Sequence, residues 1–77
     1  MRALNFRILL KKELEGGFTV NVPSLPGCIT YGDNIEHAIE MAREAIELYL
    51  ESLREHGEAI PTEEGIFEYT LTVDDHA

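Results

Sequence analysis

The sequence predicts an α+β domain in two layers: three strands, one long helix, then a fourth strand. Three observations carry that prediction. Apolar and polar residues alternate near both ends of the chain, the period of a strand with one buried face. A central stretch instead repeats its apolar residues at i, i+3, i+4 and i+7, the period of a helix with one buried stripe. Glycines and prolines fall between these segments, where the chain must turn.

The first strand is expected over 4–10, with Leu4, Phe6, Ile8 and Leu10 facing one way and Asn5, Arg7 and Leu9 the other. Glu15-Gly16-Gly17 supplies a hairpin turn, because glycine accepts positive φ at no steric cost. The second strand, 18–22, reads Phe-Thr-Val-Asn-Val. Pro23 and Pro26 then remove two backbone donors and end it. Pro26-Gly27 suits the centre of a type II turn, and Leu25 between the prolines is expected to plug one end of the core. A short third strand follows over 28–31, and Gly32-Asp33-Asn34 turns the chain into the helix.

The helix is expected over 35–56. Ile35, Ala38, Ile39, Ala42, Ala45, Ile46, Tyr49, Leu50 and Leu53 form its apolar stripe. Asn34 or Asp33 is its N-cap and Gly57 its C-terminal stop. Beyond Pro61, Phe67, Tyr69, Leu71 and Val73 alternate with Glu68, Thr70 and Thr72 as the fourth strand, and Asp74-Asp75-His76-Ala77 forms a polar tail. One helix covers one face of such a sheet. Leu9 and Ile66, with either Cys28 or the Ile29/Tyr31 side of the third strand, remain on the other face, so a homodimer is expected.

Composition narrows the function. A chain of 77 residues holds a single domain, 1–77, which should expose about 4,700 Å² when compactly folded. Fifteen acidic residues against six basic give a net charge of −9. Such a surface repels phosphate backbones and attracts basic proteins, so no direct nucleic-acid ligand is expected. No apolar run is long enough to span a membrane and the N-terminus lacks a signal-peptide pattern, which together with a lone cysteine fits a cytoplasmic protein.

Catalysis needs groups that converge, and none do in the sequence. His37, His56 and His76 are far apart and read as surface residues; Cys28 reads as a small core thiol. The first strand carries no carboxylate of the kind a metal nuclease places there, and Gly16-Gly17 precedes a strand rather than a helix, so it is no phosphate loop. Neither an enzyme nor a cofactor or metal site is expected. The helix face with Glu36, Glu40, Glu44, Glu47, Glu51 and Glu55 is the most concentrated negative surface, and Glu40, Glu44, Glu47 and Glu51 are the candidate partner-binding residues.

The stretch Val22-Pro23-Ser24-Leu25-Pro26-Gly27-Cys28-Ile29-Thr30, followed by Gly32-Asp33-Asn34, resembles the signature of HicB-like antitoxins. Gly16-Gly17-Phe18 before the second strand, the alanines and Glu44-Ala45-Ile46 of the helix, and Ile60-Pro61 after it extend the likeness over about 6–61. Pro23, Leu25, Pro26, Gly27, Gly32 and Asp33 are its structural motif. Ser24 stands where an acidic residue is often seen, and Asn34 where Thr or Ser usually caps the helix. The resemblance implies a fold like a truncated ribonuclease H domain without its catalytic carboxylates. It also implies a partner, a small basic HicA-like ribonuclease that cleaves messenger RNA and is neutralised by binding. Members of that family commonly carry a C-terminal DNA-binding module; here the sequence stops after the fourth strand, so duplex DNA binding is not expected. Two other readings remain, an orphan oligomeric domain for another protein or small ligand, and a residual nuclease, which the missing strand carboxylates disfavour.

Overall fold

A computed structural model of the chain describes residues 3–75; His76, expected in the polar tail, lies outside them. Three antiparallel strands, β1 (Leu9–Lys12), β2 (Phe18–Asn21) and β3 (Ile29–Gly32), form a sheet in the order β1-β2-β3, and one helix, α1 (Ile35–Glu55), covers one face. The α+β class and the two layers are as the sequence predicts.

Register fixes the faces. Leu9 pairs with Asn21 and Asn21 with Ile29; Lys11 pairs with Thr19 and Thr19 with Tyr31. These rows form the outer face, where Leu9, Ile29 and Tyr31 are exposed. Cys28 is buried, which decides the alternative left open for the third strand. Residues 4–8 keep the expected parity, since Leu4, Phe6 and Ile8 all pack inward, but the ladder begins only at Leu9. Continued antiparallel pairing would set Arg7 against Pro23, which has no N–H to give, and the Val22 amide already donates to the Cys28 carbonyl at 3.1 Å.

The path from β2 to β3 is a double turn. The Leu25 amide donates to the Val22 carbonyl at 3.0 Å, and the Cys28 amide to the Leu25 carbonyl at 2.9 Å. Gly27 sits at φ 79° after Pro26, as a type II turn requires. Leu25 is thereby driven into the core, 1% exposed, beside Val22, Cys28 and Leu50.

The helix starts where the caps predict. Asn34, not Asp33, is the N-cap: its Oδ1 accepts the His37 amide at 2.8 Å. The Asp33 amide donates to His37 Nδ1 at 2.9 Å, so this half-buried histidine closes the turn from the other side. At the far end Gly57 adopts φ 66° and the Glu58 amide reaches back to the Leu53 carbonyl at 2.9 Å, a Schellman closure. Ala38 and Ala42 pack on Val20 in a second core cluster. A Cβ on Gly32 would strike the Ala38 backbone, so the glycine sets how closely α1 sits on β3.

The fourth strand expected over 67–73 is not formed among the described residues. Phe67, Tyr69, Leu71 and Val73 are 94, 85, 75 and 76% exposed. Their alternation specifies an extended two-faced segment but not what it lies against. The Ile66 amide bonds the Glu63 carbonyl at 3.0 Å with Gly65 at φ 83°, and beyond this turn the chain forms no ladder with its own sheet. The ribonuclease H likeness needs a fourth strand, which the described chain does not supply.

Glu63 clamps that turn to the body. One carboxylate oxygen accepts the Ser24 hydroxyl at 2.7 Å and the other the Arg7 Nε at 3.0 Å; Glu68 approaches Arg7 at 3.5 Å. The Ser24 hydroxyl above all, helped by the Arg7 amide and guanidinium, holds the Glu63 carboxyl below its usual range, against the opposing effect of burial. An acidic residue at 24 would repel Glu63, so Ser24 suits this clamp.

Three outcomes follow from this geometry. Gly27→Val forces a β-branched residue to positive φ and should cost about 1–3 kcal/mol in thermal unfolding. Gly32→Ala, with backbone in its way, should cost at least as much, whereas an unchanged melting temperature for either refutes the contact assigned to it. Glu63→Gln should destabilise the protein near neutral pH by about 1 kcal/mol, a modest value because Arg7 is partly exposed and water screens its charge. A lowered carboxyl stabilises the fold above the ordinary glutamate value of about 4.3, and that contribution is lost as pH falls through the folded value. The difference between the two proteins should therefore shrink below about pH 4.

Candidate protein-binding surfaces

The expected acidic surface is present as a continuous stripe. Glu40, Glu44, Glu47 and Glu51 follow i, i+4, i+7 and i+11 on α1, directly away from the buried alanines, and all four are exposed. Among the described residues the ion pairs are those of Arg7 with Glu63 and Glu68. The helix carboxylates form no ion pair with Arg43 or Arg54 and face solvent. Unpaired like charges along one helix face cost stability.

The motif residues build the scaffold behind this stripe. Pro23, Leu25, Pro26 and Gly27 make the double turn, and the Tyr49 hydroxyl donates to the Pro26 carbonyl at 2.8 Å, tying mid-helix to the turn. Gly32 seats the first helical turn, while Asp33 contributes its amide to that turn and leaves its carboxylate exposed. Burial pushes the Cys28 thiol up, away from a reactive thiolate. Among the described residues no His, Cys, Asp and Glu side chains converge in a set that could hold a metal ion. No helix there is long and apolar enough to cross a membrane.

A second surface has no counterpart in the sequence reading. A groove of about 550 Å³ runs between the segment leading into β1 and one flank of α1. Leu4, Phe6 and Ile8 form one wall; Ile39, Ile46 and Leu50 form the other. Arg43 and Arg54 stand on its rim, with Glu47 between them and the acidic stripe. Ile39 was expected under the sheet, but three strands are too narrow to cover it, and it is 44% exposed. The groove lies beside residues 4–8, which run into β1, and β1 itself is an edge strand with a neighbour on one side only. The width of the helix's apolar stripe, greater than three strands can cover, was the signal for it.

The chain is similar in sequence to several known proteins. The chain is 47% identical over 60 residues to a UPF0150 protein of Synechocystis, covering 78% of this chain and 76% of that one. It is 41% identical over 58 residues to a UPF0150 protein of Thermoplasma acidophilum, covering 75% and 84%. It is 34% identical over 61 residues to Antitoxin HicB 1 of Photorhabdus laumondii, covering 79% of this chain but 39% of that longer protein. Residues 6–76 match the family model described as the HicB_like antitoxin of bacterial toxin-antitoxin system. With the Pro-x-Leu-Pro-Gly-Cys double turn and the helix seated by Gly32 inside that match, the chain belongs to the HicB-like antitoxin family.

Proposed function

We propose that this protein is a cytoplasmic, non-enzymatic antitoxin whose single domain, 1–77, binds a small basic HicA-like ribonuclease and neutralises it. The observation that carries the reading is the unpaired stripe Glu40, Glu44, Glu47 and Glu51, displayed by a chain of net charge −9 in an antitoxin family. A cation-rich ribonuclease surface is complementary to it, and the same charge disfavours direct binding to RNA or DNA. Neutralisation then works by occupancy: the antitoxin covers the basic surface with which the toxin would hold its RNA. The protein acts as a self-associated form, most simply a dimer.

The uncovered apolar residues of the sheet and tail support a second reading, an orphan oligomeric domain that binds another protein or a small ligand. A short basic reading frame beside this gene, whose product binds the protein, separates the two.

Charges around an interface act mainly on association rate, and salt screens them over about 8–10 Å. Changing Glu40, Glu44 and Glu51 together to Gln, leaving the groove-side Glu47 intact, should slow association with the neighbouring gene's product by about tenfold at low salt. The deficit should fade as salt rises. Absence of any binding removes that partner; binding with unaltered, salt-insensitive kinetics keeps the partner and rejects this face.

A further inference from the structure

The chain carries an apolar groove without an occupant and an apolar strand without a sheet. We infer that two copies exchange their C-terminal segments, 66–73 of each adding as a strand along the β1 edge of the other and setting Phe67, Tyr69, Leu71 and Val73 into its groove. This deepens the self-association proposed above and rests on it.

Four observations support the fit. First, the chain exposes 6470 Å², about 1,800 Å² more than the roughly 4,700 Å² expected of a compact chain of its mass. That excess is ample for a stable interface, which needs about 800 Å² from each partner. Second, the radius of gyration is 15.1 Å, where a compact chain of this length has about 11.5 Å, so the excess belongs to a protruding segment. Third, the groove and the segment are complementary in chemistry. Alternate apolar residues of an added strand face one way, toward Ile39 and Ile46, while its backbone meets the unpaired groups of β1. Fourth, charge agrees: two of the six basic residues, Arg43 and Arg54, border the groove, and Asp74 and Asp75 follow directly on the segment.

The occupant is a second copy rather than the chain's own segment because of the clamp. Ser24 and Arg7 hold Glu63, Arg7 also draws Glu68 to its side, and with the start of the segment fixed there Phe67, Tyr69, Leu71 and Val73 stay exposed instead of entering the chain's own groove. Exchange between identical chains satisfies both grooves by one two-fold operation and closes at two copies.

Light scattering on the full chain, with paired substitutions, tests this. The parent should have twice the mass of one chain. Phe67→Asp with Leu71→Asp alters only exposed side chains and should give single chains with the helical circular dichroism intact. Ile39→Glu, or independently Arg43→Glu at the rim, should weaken the dimer from the groove side. Mixing the tail variant with the groove variant should restore dimers that neither forms alone, since each mixed pair keeps one good tail and one good groove. A parent of single-chain mass overturns both the exchange and the self-association. A dimer indifferent to the tail substitutions overturns the exchange and leaves self-association standing. Dissociation by tail substitutions without restoration on mixing means that tail packs on tail, and it too overturns the exchange.

Discussion

The close seating of α1 on the sheet is the contact on which the other features depend. Ala38 and Ala42 meet Val20, and Gly32 offers no Cβ at the point where the helix backbone passes. Small residues on both sides bring the layers together, and the larger side chains Leu25, Leu50 and Tyr49 then fill the wider end. A thin domain has few such contacts, so losing one opens a large share of its core. The same seating turns the glutamates outward, because a helix whose narrow side is pressed inward must present its opposite side to water.

The double turn works with that seating. Two prolines and Gly27 reverse the chain within a few residues, and Leu25 enters the core as a consequence of the reversal. Tyr49 reaches the turn from the helix, and Glu63 reaches it through Ser24 from the segment that follows. Three distant stretches thus meet at one loop, and this gives a physical reason for so specific a sequence in a segment with no catalytic group.

Local physics made much of this legible beforehand. Strand parity, the type II turn at Pro26-Gly27, the Asn34 cap and the Gly57 stop all follow from interactions within a few residues, and each is present. The Arg7–Glu63 contact spans 56 positions, and no spacing rule announces it. The tail shows the same limit from the other side. Its alternation is a statement about a strand's two faces, and a strand's partner is a matter of tertiary or quaternary contact. The acidic stripe was readable because helical periodicity alone places those carboxylates together; the groove beside it was not, because its walls, residues 4–8 and the helix, are far apart in the sequence.

The tyrosines divide the molecule into regions that can be observed separately. Tyr31 binds the hairpin turn through the Gly16 carbonyl at 3.0 Å, Tyr49 binds the double turn, and Tyr69 stands free on the tail. The chain has no tryptophan. Phenol emission and ultraviolet difference spectra are therefore unobscured, with Tyr31 reading the sheet, Tyr49 the junction of helix and loop, and Tyr69 whatever comes to lie against the tail. Substituting phenylalanine for two of the three leaves a single intrinsic optical reporter, and no dye has to be attached near a surface meant for a partner.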